Sequence, residues 1–328
     1  MRLYRLLPAL LAACLSSACS TTLKPIPYTP AAGVAHSKET LPGPVSETTL
    51  FGQTWLPAGQ KPRAMVLLIH GTTEHSGLYA PLAEALVKAG YGAYGLDLQG
   101  WGRSQGLGKK GYVKSHDDYV RDVAATLNTL RSRYPGMPLY AAGESLGGTV
   151  LLRGEIDNAL RVKGLILAAP GYKPNPGLAG LRGPGFLTEL ALWAGGIFGS
   201  ILPSWPTLPS DPGIRATICS AVTQKRYLND PYVSHNWLPA VYLTAMSDSQ
   251  PLIEKGLGRI HVPVLIIHGD KDALIPLSSS EEIMAAVGNR GTLHVIKDGC
   301  HASFTEEKSW PLAAQKMVEW LNSQTGSP

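Results

Sequence analysis

A serine flanked by glycines lies near the middle of the 328-residue chain, within the sequence Gly143-Glu144-Ser145-Leu146-Gly147. An apolar run at residues 138–142 precedes it, and a helix-like run at 149–153 follows it. A Gly-x-Ser-x-Gly pattern between a strand and a helix is typical of a nucleophile elbow, a sharp turn that presents the serine hydroxyl. Gly143 and Gly147 suit such a turn, because side chains there would crowd its strained backbone. The pattern alone also fits a glycine-rich turn without chemistry, so other residues must distinguish the two.

An acid and a base follow the serine, each directly after a predicted strand. The apolar run at 264–268 leads into Asp270 and Asp272, and the run at 292–296 leads into His301. Parallel strands bring their carboxyl ends to one edge of a sheet, so residues distant in sequence can meet there. In that arrangement His301 would take the proton of the serine hydroxyl, and one of the two aspartates would hold the imidazole in the correct tautomer.

Two backbone N–H groups are candidates for stabilising the negative charge that develops during acyl transfer. The apolar run at 64–69 ends in a loop that contains Thr72, and Leu146 directly follows the serine. We predict that the N–H groups of Thr72 and Leu146 form the oxyanion hole. His70 and His268 lie within or next to predicted strands and are interpreted as structural histidines.

Three sequence motifs connect these residues to a known family. They are HGTTEHS at 70–76, DLQGWGRS at 97–104 and GESLGG at 143–148. Together they resemble the monoacylglycerol lipase and lysophospholipase branch of the α/β-hydrolases, the serine aminopeptidase S33-like group. The resemblance covers residues 45–324.

The resemblance assigns roles and also shows two departures from the family pattern. It implies a catalytic triad of Ser145, Asp272 and His301, and so favours the second of the two aspartates. Thr73 stands where the family usually has Gly, and Glu144 stands where many members have His. Plant-type members also carry Glu before the serine, so Glu144 is compatible with activity.

Apolar segments of strand length alternate with amphipathic segments of helix length along most of the chain. This alternation predicts a mostly parallel sheet covered by helices on both faces, and the resemblance implies an α/β-hydrolase fold with an inserted cap. We predict the core at 47–170 and 259–324, and the cap at 171–258, where Pro and Gly are frequent and the alternation stops. Strands are predicted at 65–70, 92–98, 139–143, 164–169, 264–268 and 292–296, with two more within 47–56, and helices at 78–89, 117–133, 146–157, 279–286 and 310–323.

The N-terminus has the features of an export signal. Arg2 and Arg5 form a positive region, and the apolar run at 6–15 is too short to span a bilayer. Small residues precede Cys19 and resemble a bacterial lipobox. This similarity to a lipobox implies that residues 1–18 are a signal peptide and that Cys19 is acylated.

Acylation at Cys14, or ordinary cleavage after Ala18 without a lipid, are the alternatives to acylation at Cys19. Residues 19–46 are rich in Pro, Ser and Thr and lack apolar periodicity, so they are predicted to form an extended tether. These features predict an exported bacterial lipoprotein that is anchored to a membrane. In a host with two membranes, it would lie at the outer membrane or on the periplasmic side.

Composition excludes some function classes. Charged residues make up 16% of the chain and the net charge is +5, without a basic run that contains aromatic residues, so no nucleic acid partner is expected. Besides Cys14 and Cys19 near the N-terminus, the chain contains Cys219 and Cys300, and the sequence leaves open whether these two pair. They lack metal-ligand spacing with His, so no metal or other cofactor is expected.

One apolar segment of the predicted cap bears on the substrate. Residues 186–202 are apolar around more than one helical face, but Gly195-Gly196 interrupts them and they are too short to span a bilayer. We predict a cap helix that contacts lipid or lines an acyl pocket; the alternative is a helix that packs only against the core.

The predicted reaction is the cleavage of a fatty acyl ester, of monoacylglycerol or lysophospholipid type, through an acyl-enzyme on Ser145. Serine at this position excludes the dehalogenases and epoxide hydrolases of the fold, which need Asp there. Related S33 aminopeptidases need an acidic site for the substrate amine, and the first half of the predicted cap contains few acids. An aminopeptidase or amidase is one alternative, and a non-catalytic lipoprotein with this fold is another.

The expected partners are a lipid or small ester substrate and a membrane surface, reached through the anchor and the cap.

Overall fold

The computed structural model describes Leu23, Pro25 and residues 27–175 and 201–326. The predicted signal, Cys19 and residues 186–200 of the predicted cap helix lie outside these described residues. The described strands are β1 (Val34–Pro42), β2 (Thr49–Pro57), β3 (Met65–Ile69), β4 (Gly92–Asp97), β5 (Leu139–Glu144), β6 (Leu165–Ala168), β7 (Pro206–Pro209), β8 (Trp237–Pro239), β9 (Val264–Gly269) and β10 (Gly291–Ile296). The described α-helices are α1 (Ala80–Lys88), α2 (His116–Arg133), α3 (Leu146–Ile156), α4 (Ser210–Thr217), α5 (Ala221–Leu228), α6 (Ala240–Gly256), α7 (Leu277–Val287) and α8 (Trp310–Thr325).

A single large sheet organises the described part of the chain, in the order β1-β2-β4-β3-β5-β6-β9-β10. β2 pairs antiparallel with β1 and β4, and the other neighbouring strands are parallel. The parallel strands β3, β4, β5, β6 and β9 are buried along their whole length, because α2, α3, α6 and α7 cover one face and α1 and α8 cover the other. Burial on both faces requires continuous apolar sequences. The prediction of a mostly parallel sheet between two layers of helices is confirmed.

The prediction of a tether up to residue 46 is wrong, because β1 lies inside that segment. β1 pairs with β2 from Val34 opposite Pro57 to Pro42 opposite Thr49. Of the two strands expected within 47–56, only β2 is there among the described residues. β1 is the edge strand and exposes most of its side chains, so its sequence carries little apolar periodicity.

Folded structure begins even before β1. The Tyr28 hydroxyl donates to the Glu84 carboxylate on α1, at 2.6 Å, and accepts from the indole N–H of Trp55, at 2.9 Å. The backbone N–H of Ala31 donates to the same carboxylate oxygen of Glu84, at 3.0 Å. The chain is therefore attached to the core from Tyr28 onwards.

The chain between β6 and β9 contains elements that do not extend the main sheet. β7 and β8 form a small antiparallel sheet, and α4, α5 and α6 accompany it. Tyr242 and Ile253 of α6 pack in the same apolar cluster as α2 and α3, which fixes this insertion on the core. Within residues 27–175 and 201–326, no helix combines the length and apolarity needed to cross a membrane.

Candidate active site

Ser145 occupies a sharp turn between β5 and α3. Its backbone has φ 51° and ψ −111°, a left-handed conformation that costs a non-glycine residue about 1–3 kcal/mol. Its N–H donates to the carbonyl oxygen of Ala168, at 2.9 Å, and its own carbonyl oxygen accepts from the N–H of Gly171, at 2.9 Å. These two hydrogen bonds to the end of β6 hold the turn in its strained geometry.

The glycines on either side of the serine allow a close approach of three backbone segments. A Cβ at Gly147 would collide with the carbonyl oxygen of Ile69 at the end of β3. A Cβ at Gly143 would lie 2.5 Å from the carbonyl carbon of Gly147. Neither position tolerates a side chain without movement of the backbone, as expected for a nucleophile elbow.

His301 and Asp272 form a hydrogen-bonded pair. His301 Nδ1 lies 2.7 Å from Asp272 Oδ2, and the Asp272 side chain is only 1% exposed. The other carboxylate oxygen accepts backbone N–H groups from Leu274 and Ile275, each at 2.9 Å. Burial opposes ionisation of Asp272, but the charge of His301 and hydrogen bonds from His268, His301 and Ile275 outweigh it and hold its pKa below the usual range. Asp272 is therefore an anion that fixes the orientation of His301.

The second imidazole nitrogen of His301 is the one that a triad directs at the serine. This Nε2 atom is buried and has no hydrogen-bond partner among the described residues, Ser145 included. In free hydrolases this hydrogen bond is often long and shortens when substrate binds. Ser145 follows β5, Asp272 follows β9 and His301 follows β10, so all three lie at the carboxyl edge of the sheet.

Asp270, the rival acid, is placed differently. It is exposed, and its backbone N–H donates to the carbonyl oxygen of Ile296, at 3.1 Å. The structure thus brings Asp272, and not Asp270, into contact with His301.

The loop that carries Thr72 lies against the serine. A Cβ built on Gly71 would be 3.4 Å from the Ser145 Cβ. Leu146 is the first residue of α3, and N–H groups in the first turn of a helix have no acceptor within the helix. Thr72, next to Gly71, and Leu146, next to Ser145, therefore lie close to the serine, and their role as oxyanion donors stays a prediction.

The backbone conformation at Thr73 is one that favours glycine, the residue that the family usually has at this position. Its φ is 70°, in the left-handed region that glycine adopts without strain. Its carbonyl oxygen accepts the N–H of Ser234, at 2.8 Å, which ties this loop to the insertion.

Two contacts of the site have no signal in the sequence. The Tyr242 hydroxyl on α6 lies 2.5 Å from Thr72 Oγ1, and His268 Nε2 lies 3.3 Å from Asp272 Oδ2. His268 Nδ1 is 2.7 Å from Ser280 Oγ, and its Nε2 is 3.0 Å from the carbonyl oxygen of Ile275. Tyr242 follows a short strand in an irregular segment, so no sequence pattern pointed to its contact with Thr72.

A disulfide joins the insertion to the histidine loop. Cys219, between α4 and α5, is bonded to Cys300, and their Cα atoms are 6.0 Å apart. Beside it, the N–H of His301 donates to the carbonyl oxygen of Thr217, at 3.3 Å, and the N–H of Ser220 donates to the Glu306 carboxylate, at 3.0 Å. The pairing that the sequence left open thus anchors the residue directly before His301.

The arrangement supplies the parts that acyl transfer needs. It offers a hydroxyl nucleophile and an imidazole oriented by a carboxylate, and the residues predicted to form the oxyanion hole lie close to the serine. In the described ranges, no group of three or more His, Cys, Asp or Glu side chains is arranged to hold a metal ion. The chemistry that these residues can perform is nucleophilic substitution at an acyl carbon.

Comparisons with known proteins agree with this chemistry. The family described as serine aminopeptidase, S33, matches residues 60–308. The chain is 25% identical to the monoacylglycerol lipase of Mycolicibacterium smegmatis over 269 residues, which cover 82% of this chain and 91% of that protein. It is also 25% identical to human monoglyceride lipase over 252 residues, or 77% of this chain and 79% of that one.

A solved structure shows the same fold. A soluble variant of monoglyceride lipase from Saccharomyces cerevisiae, in complex with a substrate analogue, superposes with a TM-score of 0.76. The match covers 93% of this chain and all of that one at 18% sequence identity.

Proposed function

Because the chain belongs to the serine aminopeptidase S33 family of α/β-hydrolases, we propose that this carboxylic ester hydrolase cleaves fatty acyl esters of the monoacylglycerol or lysophospholipid type. The reaction would pass through an acyl-enzyme on Ser145. The observation that carries the proposal is the 2.7 Å contact between His301 and Asp272 at the sheet edge where the elbow presents Ser145. Relatives named as monoglyceride lipases support the substrate class.

In the first half of the proposed reaction, Ser145 Oγ attacks the ester carbonyl while His301 Nε2 takes its proton. The N–H groups of Thr72 and Leu146 stabilise the oxyanion of the tetrahedral intermediate. Asp272 stabilises the imidazolium. His301 then returns the proton to the leaving alcohol, and the acyl group remains on Ser145.

In the second half, water replaces the alcohol. His301 takes a proton from the water, which attacks the acyl-enzyme carbonyl and forms a second tetrahedral intermediate. Its collapse breaks the bond to Ser145 Oγ, which regains a proton from His301, and the fatty acid leaves.

A fluorophosphonate probe tests the nucleophile. It should label the wild-type protein at Ser145, and Ser145→Ala should lose both labelling and ester hydrolysis. Residual activity of Ser145→Ala close to that of the wild type would refute the mechanism. Ser303→Ala, which changes a buried serine two residues after His301, is the control and should keep the labelling.

A substrate panel tests the substrate class. Purified protein without residues 1–20 should hydrolyse monoacylglycerols or lysophospholipids, and short nitrophenyl esters to a lesser extent. Faster cleavage of aminoacyl amides than of any ester would refute the proposed class and favour an aminopeptidase.

Exposed apolar side chains on the insertion support a lipid substrate. Ile201, Leu202, Trp205 and Trp237 form what we call the apolar surface, and Ile201 and Trp237 are 69% and 55% exposed. The N–H of Ala240 donates to the carbonyl oxygen of Trp205, at 2.8 Å, so the two segments that carry these residues are adjacent. Burying one large apolar side chain in lipid is worth about 1.5–3 kcal/mol. We propose that this surface contacts the membrane that holds the substrate.

Matched substitutions test the apolar surface. Ile201→Ser or Trp237→Ser should lower hydrolysis of a vesicle-bound long-chain ester about tenfold and leave a short soluble ester almost unchanged. Val222→Ser is the control, because Val222 is 69% exposed but lies on α5, outside this surface. Equal losses on both esters would mean that the surface supports the active site, and no loss on either would remove it from lipid binding.

We also propose that the protein is exported and acylated at Cys19. The N-terminal sequence pattern supports this, and so does the disulfide, since disulfides persist mainly in oxidising compartments. Mass spectrometry of the mature N-terminus should find an acylated Cys19. An unmodified terminus, or acylation at Cys14, would refute the assignment.

A further inference from the structure

We propose that Glu144, the residue before the nucleophile, carries a proton in the folded enzyme and acts with Tyr79 and Glu74 as a set of positioning residues for the oxyanion loop. The inference rests on the proposed esterase function for its activity measurements only. The carboxyl groups of Glu74 and Glu144 are both buried and both contact the hydroxyl of Tyr79, which has only one proton to donate.

Glu74 receives more hydrogen bonds than Glu144 does. One carboxylate oxygen, Oε2, accepts the N–H of Gly71 at 2.9 Å and the hydroxyl of Tyr79 at 2.6 Å. The other, Oε1, lies 2.8 Å from the hydroxyl of Tyr227, which is also 2.6 Å from Thr305 Oγ1. Two donors at one oxygen of a buried carboxyl group favour its ionised form.

Glu144 has a single hydrogen-bond donor apart from its contact with Tyr79. Its Oε1 accepts the N–H of Phe304, at 2.8 Å, and its Oε2 lies 2.9 Å from the hydroxyl oxygen of Tyr79. A phenol has one proton, and Tyr79 gives it to Glu74 in the shorter contact. The proton between Tyr79 and Glu144 must therefore come from Glu144, with the phenol oxygen as acceptor.

The surroundings of Glu144 favour the neutral form as well. It is 1% exposed, and no Lys or Arg forms an ion pair with it among the described residues. Burial, together with the negative charge of Glu74, raises the pKa of Glu144 well above its ordinary value. One shared phenol thus separates an ionised carboxylate from a protonated one.

This hydrogen-bond set joins the segments that make up the active site. Glu74 fixes Gly71, next to Thr72, and Glu144 precedes Ser145. Tyr227 brings in α5 of the insertion, and its hydroxyl lies 2.6 Å from Thr305 Oγ1 in the loop that follows His301. With Glu144 neutral, the set contains a single negative charge, and Glu74 and Glu144 do not repel each other.

Three variants of the full chain separate protonation from simple packing. Glu144→Gln keeps the shape and can donate to Tyr79 while accepting from Phe304, so kcat/KM for a short nitrophenyl ester should stay within about threefold of wild type. Glu144→Ala should lower kcat about 10–100-fold with a smaller change in KM, because the oxyanion loop loses its support. Glu74→Gln should lower kcat/KM more than Glu144→Gln does, because it removes the negative charge that accepts from Gly71 and Tyr79. Glu155→Gln changes a buried carboxyl group on α3 and is the control, which should keep the kcat/KM of the wild type.

An infrared difference spectrum between the wild type and Glu144→Gln reports protonation without any need for catalysis. The wild type should show the band of a protonated carboxyl group at neutral pH, and the variant should lack it. Absence of this difference, or a mild Glu74→Gln with a severe Glu144→Gln, would overturn the proposal. Wild-type activity in Glu144→Ala would overturn the positioning role. If the wild type cleaves no ester, the proposed function fails, and the infrared difference still decides the state of Glu144.

Discussion

The hydroxyl oxygens of Thr72 and Tyr242 lie 2.5 Å apart, and this contact joins the oxyanion loop to helix α6 of the insertion. Tyr242 is buried and packs edge-on against Trp101, with ring centroids 5.5 Å apart. The insertion therefore does more than cover the sheet edge, because one of its side chains constrains a residue that is predicted to bind the oxyanion.

Removal of this hydroxyl should slow the chemical step. We expect Tyr242→Phe to lower kcat for a short nitrophenyl ester about 2–10-fold with little change in KM, since a neutral hydrogen bond is worth about 0.5–1.5 kcal/mol. Tyr91→Phe is the control, because it removes a hydroxyl that donates to Asn322 at 2.8 Å, away from the elbow. Equal effects of the two variants would mean that the contact with Thr72 has no catalytic consequence.

The two aspartates after β9 should differ sharply in their effect on rate. Asp272→Asn leaves His301 without the acceptor that fixes its tautomer and should cost about 10³–10⁴-fold in kcat. Asp270→Asn changes an exposed residue and should cost less than about twofold. Steady-state kinetics on the same ester decide between them. A crippled Asp270→Asn with an active Asp272→Asn would reverse the assignment of the acid.

Loss of the disulfide should weaken both stability and catalysis. The bond closes a loop with a sequence separation of 81 residues, so the Cys219→Ser/Cys300→Ser variant should lose about 2–5 kcal/mol in the free energy of unfolding. Because Cys300 precedes His301, kcat should fall as well. Denaturant unfolding and kinetics, with and without a reductant, measure both effects. A reductant should affect the wild type and spare the variant; identical unfolding midpoints of the two proteins would contradict the expectation.

His116 should make the protein sensitive to acid. Burial, with a smaller effect of the Arg153 charge, lowers the pKa of His116 to about 3. The unfolded chain takes up this proton near pH 6.5 and the folded chain does not, so stability is complete above pH 6.5 and falls as the pH drops toward 3. The slope from this group approaches about 1.4 kcal/mol per pH unit.

His116→Gln should therefore show a shallower loss of stability between pH 6 and 4, measured as the free energy of unfolding in urea. His261→Gln, which changes an exposed histidine, should keep the slope of the wild type. Parallel slopes in the wild type and His116→Gln would show that this buried imidazole does not set the acid sensitivity.

Strands and helices that leave a local apolar pattern can be predicted from the sequence, but contacts between residues distant in the sequence cannot. β3, β5 and β9 were predicted within about two residues, because strands buried on both faces are continuous apolar runs. The edge strand β1 exposes most of its side chains and left no such pattern. The contact of Tyr242 with Thr72 spans 170 residues, and the sharing of Tyr79 by Glu74 and Glu144 depends on packing, so neither has a local signal.

The attachment of Tyr28 to Glu84 and Trp55 limits how far the enzyme could move from a membrane. If Cys19 carries a lipid, eight residues, 20–27, separate it from Tyr28. Fully extended, they reach about 30 Å, roughly the thickness of the hydrocarbon core of a bilayer. With so short a linker, the enzyme would reach its substrate by lateral diffusion along the membrane surface. Its turnover rate would then depend on the surface density of the lipid substrate and not on its bulk concentration.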